Sequence, residues 1–540
     1  MGTRYMNDRG DRQTPEAYVA LVAAVLLCVA SSVFMMNFVP DDSYISFRYA
    51  ENLADGHGLR FNTIEQPVEG FSNLLWILLC AAIYTTGLDL PGATPVVGIV
   101  LGICAITLLW LLFRKRGFST LQMLFPLLIL ASSGPFVLYQ VSGMEMPLFA
   151  ALFMLMLVLM DRMFTGGKLV DCVLAALTGV LLALCRPEGM LVWPVVAVFV
   201  LWSHRRASRD GAAGGVVVRN IVISLSVFAI LMVVYHLWRV SYFGEWLPTP
   251  LLSKGGGGKS LVYAWTENFS YYFVKQKRYY PPVGYYFVAL IILAVAGRRL
   301  SASANALRRT ETAAIILVVC FSLVYFNFRD WMPGMRYHAA FVGVMLLPAA
   351  HLTRFVTPGV GAANKRLAWM IGLTAVVLNF GVLAQLRVIA DRTEQSNQLC
   401  TVPLGKWLKK VVPPGSLMVV SDVGAIPYYS GLYAVDFHPE SLTDIHIAKN
   451  GFSIDYIRER DPDVVIFPAQ SIYVAKFYPE HYKMALDRRF DNYRLIGVSR
   501  YDWENDRCYW VYFKEEFPKL TDEQFESFPH GIGSVMRKYR

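Results

Sequence analysis

The sequence predicts an α-helical polytopic membrane protein of about eleven transmembrane helices, followed by a C-terminal extracytoplasmic α/β domain. Three observations predict it. Hydrophobic residues fill 55% of the 540 positions and charged residues only 17%, a balance foreign to a soluble globule, a disordered chain or a coiled coil. The apolar residues recur in blocks of about 17–22, the length an α-helix needs to cross roughly 30 Å of hydrocarbon. After Leu386 the blocks stop, and short strand-like runs begin, such as Leu417-Met418-Val419-Val420 and Val464-Val465-Ile466-Phe467, bounded by Pro-Gly and Asp-Pro turns. The expected units are residues 1–386, the membrane part, and residues 387–540, the tail. A β-barrel would show short alternating segments instead.

In chain order, the first block runs from Ala17 to Val39 behind a polar head containing Arg4, Arg9 and Arg12. At about 23 residues, without a well-placed small-residue cleavage site, it reads as a retained first span that also serves as the export signal. Phe71 to Tyr84 is about 14 residues long, short for a span, and reads as an interfacial or re-entrant helix. Five later linkers are basic: Arg114-Lys115-Arg116; Arg162 with Lys168; Arg205, Arg206, Arg209 and Arg219; Arg298, Arg299, Arg308 and Arg309; Arg354, Lys365 and Arg366. The positive-inside rule assigns all five to the cytoplasm, which makes the N-terminus cytoplasmic and the tail extracytoplasmic. The membrane part holds 30 Lys/Arg against 19 Asp/Glu and the tail 20 against 21, so +11 and −1 give the net charge of +10. All of the positive excess therefore belongs to the membrane part.

This orientation leaves 12 of the 19 acidic residues outside, in Pro- and Gly-marked loops, and function is expected on that face. The first loop, about residues 40–91, opens with Asp41-Asp42 at the outer end of the first span, before a segment, Ser43 to Leu53, that reads as an amphipathic helix lying on the membrane. A carboxylate at the mouth of a low-dielectric cavity is poised to accept a proton from a sugar hydroxyl or to hold a divalent cation. An aspartate before a helix also serves as an N-cap, but a cap needs only one of the two, and the second carboxylate is surplus to that role.

Arg186 and Glu188 follow an apolar span directly, and Arg336 follows the Pro333-Gly334 turn. Charges at such depth usually face a protein-lined or watery cavity. With Lys254 in the long loop they are candidates to neutralise a phosphate or pyrophosphate, arginine bidentately and lysine as a point charge. The run Lys275 to Arg278 is expected to meet lipid headgroups. Lys254-Gly255-Gly256-Gly257-Gly258-Lys259 lacks the Gly-Lys-Ser/Thr spacing of a P-loop, and a mobile loop over a site fits it better. His57 and His338 lie on the same face as isolated residues, and His438 with His446 are too scattered to argue for zinc. Six of the eight cysteines lie in or beside spans as small apolar fillers, while Cys400 and Cys508 in the tail suit a disulfide if their compartment is oxidising.

Taken in order, these loops resemble a known family. Asp41-Asp42-Ser43-Tyr44-Ile45-Ser46-Phe47-Arg48-Tyr49-Ala50, then Gly56-His57-Gly58-Leu59-Arg60-Phe61-Asn62 and Val68-Glu69-Gly70, resemble the first periplasmic loop of GT-C glycosyltransferases that use polyprenyl-phosphate sugars. Ser142-Gly143-Met144-Glu145, Arg186-Pro187-Glu188, Tyr242-Phe243-Gly244 with Leu247-Pro248 and Lys254, Met332-Pro333-Gly334-Met335-Arg336 and Asp422-Val423-Gly424 continue the match. Within that family they resemble the mycobacterial terminal arabinofuranosyltransferase group. The resemblance implies a GT-C fold in a bacterial inner membrane and a polyprenyl-phosphate sugar donor, with arabinofuranose the leading sugar. It also implies membrane lipids as neighbours, a cell-envelope glycan or glycolipid acceptor, and no nucleic acid. An aspartate of the Asp41-Asp42 pair would deprotonate the acceptor hydroxyl, which attacks the anomeric carbon and inverts it as polyprenyl phosphate leaves; which aspartate is the base stays open. Arg186, Glu188, Lys254, Arg336, Glu69, Glu145, Asp330 and His57 would surround the donor, and a divalent cation, the one cofactor left room for, would sit on Asp41 and Asp42. The tail departs from the family after Asp422, notably at His438-Pro439-Glu440. A GT-C enzyme acting on a lipid or protein acceptor would differ mainly in that acceptor. A secondary transporter would place its charges near the bilayer midplane in repeated halves, and here they gather at one mouth.

Overall fold

The computed structural model describes residues 15–207, 211–255, 283–300, 305–325, 332–356, 362–438, 441–469, 490–500 and 508–529, with 266, 268, 270, 484 and 487 singly. Helix α1 (Pro15–Phe34) shows how the sequence builds a lipid-facing element. Val19, Val22, Leu26, Val29 and Val33, spaced three and four apart, are exposed, whereas Ala20, Ala24 and Cys28 are fully buried. Branched residues thus face outward, and small ones let neighbouring helices approach. Helices α2 (Asp41–Ala54) and α3 (Leu74–Tyr84) precede α4 (Leu90–Lys115). With 11 residues, α3 is about 16 Å long, roughly half the hydrocarbon thickness, so it does not span.

Helices α5 (Thr120–Ala131) and α6 (Gly134–Gln140) meet at 55°, broken at Ser132-Ser133, with Pro135 opening the second segment. The bundle continues through α7 (Met146–Thr165), α8 (Leu169–Cys185), α9 (Val192–Ala207), α10 (Gly211–Phe243), α11 (Thr249–Gly255), α12 (Val283–Leu300), α13 (Asn305–Tyr325), α14 (Arg336–Ala339), α15 (Val342–Ala349) and α16 (Ala362–Ser396). Among the described residues, five helices are long and apolar enough to cross a membrane, or six with the bent pair taken as one span. The chain is an integral membrane protein. Its centre is α7, where Phe149, Phe153, Met156, Leu157 and Met160 are all fully buried. Helices α4 and α6 touch backbone to backbone: a Cβ on Gly98 would lie 1.9 Å from the Gln140 carbonyl oxygen.

One end of the bundle is tied by a buried ionic cluster. Arg116 Nη2 lies 3.2 Å and Lys115 Nζ 2.7 Å from the Asp161 carboxylate of α7. His351 Nε2 lies 2.7 Å from Glu311 of α13, and the adjacent Thr310 hydroxyl donates to Asp161 at 3.3 Å. The basic linker Arg114-Lys115-Arg116 therefore spends two of its charges on helix packing.

Beyond α16 come α17 (Val402–Val411), β1 (Leu417–Val420), α18 (Ala425–Ser430), β2 (Tyr433–Asp436), α19 (Ile445–Asn450), α20 (Ile454–Glu459), β3 (Val464–Ala469), β4 (Tyr493–Arg500), β5 (Cys508–Lys514) and α21 (Asp522–Glu526). Both strand-like runs read from the sequence are strands. The sheet order is β2-β1-β3-β5-β4, with β1 parallel to both neighbours and β5 antiparallel to both of its own. Every residue of β3 is buried, as its unbroken apolar run demands. Cys400 and Cys508 are buried as thiols, and the expected disulfide is not formed: Cys400 Sγ faces the Ser499 hydroxyl at 3.1 Å.

Candidate active site

Successive residues of a helix point about 100° apart, so the two aspartates that open α2 cannot face one partner. Neither caps its own helix, as the N-cap reading required, because Pro40 occupies the position before α2 and both lie in its first turn. Asp41 instead caps α18: its Oδ2 accepts from Gly424 N at 2.9 Å and its Oδ1 from Ala425 N at 2.8 Å. Burial, then the charge of Asp422, pushes the Asp41 carboxyl up to about 7 against the pull of those two amides. Asp42 faces the bundle, its Oδ2 3.3 Å from Arg336 Nη1. The stretch after it does not lie open on a surface, since Ser43 to Ala50 are all buried. Ser43 Oγ donates to Ser142 O at 2.7 Å on the bundle side.

Arg336 begins α14 behind a tight turn in which Gly334 (φ 78°) and Met335 (φ 51°) both take left-handed backbone. That conformation costs nothing for glycine but is uncommon for methionine. Arg336 Nη2 donates to Tyr337 Oη at 2.9 Å, Nη1 lies 3.0 Å from Met332 Sδ, and the guanidinium lies 4.8 Å from the Tyr337 ring centroid. Arg186 lies against the same ring, at 4.9 Å, and Tyr337 stacks on Tyr325 with centroids 4.8 Å apart and planes at 14°. Such guanidinium–ring contacts are favourable where water is excluded.

Arg186 is committed elsewhere. It donates to both Glu145 and Glu188, and Tyr325 Oη donates to Glu188 at 2.5 Å. Glu145 also accepts from Asn73 Nδ2 at 3.1 Å, and Asn73 donates to Ser46 Oγ at 3.1 Å, which returns the network to α2. The cluster therefore joins Asp42, Arg336, Arg186, Glu145 and Glu188 through Tyr337 and Tyr325. Among the described residues, two guanidinium groups stand against three carboxylates in it. Asp42 is its most open member, with 25% of its side chain exposed against 8% for both arginines and 4% for Glu145.

Not every expected residue joins it. Glu69 pairs with Arg239 of α10 at 2.6 Å and, through its carbonyl, takes the Thr249 amide at 3.0 Å; an ion pair with a span holds it, not the cluster. His57 is exposed on the turn after α2, where its backbone N–H bonds to Asn52 O at 2.8 Å. Asp330, the Lys254 side chain and the Lys275 to Arg278 run lie outside the described residues. Sequence reasoning missed Tyr325, Tyr337, Asn73 and Arg239. Arg239, a charge inside an apolar block, was the one with a signal. Among the described residues no group of three or more His, Cys, Asp or Glu converges as a metal site. Asp41 has both oxygens on backbone amides and Asp42 faces a guanidinium, so the pair does not fit a shared cation.

Residues 385–512 match a family described as a domain of unknown function, DUF8728. No curated protein matches the sequence. Among solved structures, the fold is similar to the Archaeoglobus fulgidus oligosaccharyltransferase tethered with an acceptor peptide containing the NVT sequon, at 13% identity and a TM-score of 0.53 over 91% of this chain and 74% of that one. It is similar to ArnT from Cupriavidus metallidurans bound to undecaprenyl phosphate, at 14% and 0.52 over 93% and 99%. It is also similar to the mycobacterial arabinofuranosyltransferase AftD, at 13% and 0.50 over 93% of this chain but 40% of that one. At these identities the likeness is one of fold.

Proposed function

We propose that the protein is an inverting glycosyltransferase of the GT-C class, which moves a sugar from a polyprenyl-phosphate donor to an acceptor hydroxyl, with Asp42 as the general base. The observation that carries this reading is the Asp42–Arg336 contact at 3.3 Å, with Asp42 the most solvent-open group of an otherwise buried ionic cluster. The fold shared with ArnT, whose structure holds undecaprenyl phosphate, and with an oligosaccharyltransferase supports it. Asp42 takes the proton of the acceptor hydroxyl as its oxygen attacks the anomeric carbon. The bond from that carbon to the phosphate oxygen breaks, and polyprenyl phosphate leaves with the electron pair. Arg336 stands beside Asp42 and balances the charge gathering on the departing phosphate. A positioned base contributes on the order of 10²–10⁴ in rate, and an electrostatic partner for the leaving group adds to it. No step runs through a metal.

The orientation that fits is N-terminus cytoplasmic and sheet region outside, in a bacterial inner membrane. Eleven crossings, by α1, α4, the α5–α6 pair, α7, α8, α9, α10, α12, α13, α15 with its following turn, and α16, would bring all five basic linkers to one side. The cluster of Arg116, Asp161, Glu311 and His351 would then mark the cytoplasmic end and the Asp42 cluster the outer one. Arabinofuranose is the leading donor sugar and a cell-envelope glycan the leading acceptor, on the sequence resemblance. The test is transfer by the purified protein from radiolabelled polyprenyl-phosphate sugars, arabinose and mannose included, to membrane glycans, lipids and proteins. Transfer that Asp42→Asn abolishes in a folded protein supports the reading and names donor and acceptor. Transfer undiminished in Asp42→Asn removes Asp42 as base, and no transfer from any donor moves weight to a transporter.

A further inference from the structure

We infer that the sheet region is a working part of this site: it fixes the rotation of α2 by gripping Asp41, so that Asp41 is a positioning residue and Asp42 is turned toward the reacting hydroxyl. The inference rests on the glycosyl-transfer reading for its kinetic consequences, but not for the clasp itself.

The grip is extensive. Besides the two amide bonds to Asp41, Arg48 sits two turns further along the same face of α2, buried, and donates to Pro427 O at 2.6 Å, Leu432 O at 2.7 Å and Phe61 O at 2.7 Å. Glu51, on that face again, accepts from Tyr428 Oη. Asp41, Arg48 and Glu51 are spaced by seven and three residues, the helical repeat that keeps them in one stripe. Asn62 bonds Ala434 in both directions, at 2.9 and 3.1 Å, as one strand would bond another. A Cβ on Gly424 would lie 2.1 Å from the Asp41 backbone oxygen, and one on Gly70 2.8 Å from the Leu442 oxygen, so only glycine admits the approach at either place. The other flank of the connection is held by α16 and the turn after it. Arg387 Nη1 donates to Phe34 O at 2.8 Å and Met36 O at 3.0 Å, and Asn397 Nδ2 donates to Val39 O at 2.7 Å.

A helix gripped along one stripe cannot rotate about its axis, and Asp42, about 100° around from Asp41, is thereby aimed at Arg336. Misplacing a reacting group by about 1 Å can cost on the order of a hundredfold in rate. Asp41 therefore acts on the reaction through α2, without touching substrate.

The test uses the full-length protein in nanodiscs, with Asp41→Ala, Asp41→Asn, Gly424→Ala and Asp42→Asn compared by hydrogen exchange and by transfer kinetics. Asp41→Ala is expected to speed exchange of the Gly424 and Ala425 amides at least about tenfold, and Asp42→Asn to leave them unchanged. Asp41→Ala should lower kcat about 10–100-fold with the donor KM nearly constant. Asp41→Asn, which keeps one oxygen acceptor, should recover part of that loss and keep the wild-type acid limb of the pH–rate profile. Gly424→Ala approaches the same contact from the other side, and its effect should not add to that of Asp41→Ala. Wild-type exchange in Asp41→Ala overturns the clasp. A loss of the acid limb in Asp41→Asn overturns the positioning role and makes Asp41 the base. Faster exchange in a protein that transfers nothing from any donor upholds the clasp and removes the glycosyl-transfer reading.

Discussion

Replacing Arg186 by Met removes the one guanidinium that, among the described residues, both Glu145 and Glu188 use. Their side chains are 4% and 12% exposed, so neither carboxylate gains water in exchange. Breaking a buried ion pair by deleting one partner costs about 3–5 kcal/mol, because the charge left behind is uncompensated. Here two carboxylates are stranded, although Glu145 keeps the Asn73 amide and Glu188 the Tyr325 hydroxyl. A cost near the upper end of that range follows, with a fall in apparent melting temperature of about 4–5 °C for a chain of 540 residues. The assay is thermal unfolding of the purified protein at fixed detergent and lipid. The companion variant Arg186→Met/Glu145→Gln/Glu188→Gln, which removes all three charges, should recover most of the loss, since an apolar or neutral replacement of a whole buried ionic group is often near neutral. A single variant that melts within about 2 °C of wild type, or a triple variant no better than the single, refutes the assignment of Arg186 to these carboxylates.

Arg336→Lys keeps the charge beside Asp42 but loses the planar fork that meets Asp42, Tyr337 Oη and the Tyr337 ring together; kcat/KM for transfer should fall about 10–100-fold, with the fold unchanged by circular dichroism. Gly98→Ala drives a methyl into the Gln140 carbonyl oxygen, 1.9 Å from its ideal position, and should destabilise by about 1–3 kcal/mol in thermal melts. Gly381→Ala, with nothing within 4 Å, should not destabilise and serves as its control. Burial raises the Asp41 carboxyl from its ordinary 3.8 to about 7, so the docked form holds the proton more tightly than the undocked one. Its contribution to docking is then complete below about pH 4 and is lost as pH rises through about 7. Exchange of the Gly424 and Ala425 amides should quicken between pH 5.5 and 8.5, after correction for intrinsic rates, and Asp41→Asn should abolish that dependence.

The helical class was legible because apolar composition and block length follow directly from the solvent a span must meet. Two strands were legible as well, since Leu417 to Val420 and Val464 to Phe467 are short apolar runs between turn residues. The aspartate pair stood out, but not the division of labour within it. That division depends on Gly424 and Ala425, 383 and 384 residues away in sequence. Arg186 reads as a phosphate ligand because a charge directly after an apolar span points to a cavity, and nothing local shows that Glu145, 41 residues earlier, takes that charge. Glu69 is misplaced for the same reason: its partner Arg239, though conspicuous as a charge inside an apolar block, lies 170 residues away. The reading of Phe71 to Tyr84 rested on length, a local quantity, and α3 is indeed too short to span.

Helix pairs in a bilayer have no hydrophobic force between them, because lipid tails are as apolar as leucine. Register between α7 and α13 must come from other contacts, and it comes from charges at both ends of the pair. Asp161 of α7 meets Thr310 of α13 and Arg116 at one end, while at the other Glu145, before α7, shares Arg186 with Glu188, which Tyr325 of α13 holds. Tyr325 carries the Tyr337 stack, and Tyr337 carries Arg336. The ionic groups that look most like ligands in the sequence are therefore largely consumed in fixing where Arg336 stands. Among the described residues, Arg336 facing Asp42, the most open carboxylate of the cluster, is what is left for the proposed chemistry, and for that reason substituting Arg186 should be read out first as stability and substituting Arg336 or Asp42 first as rate.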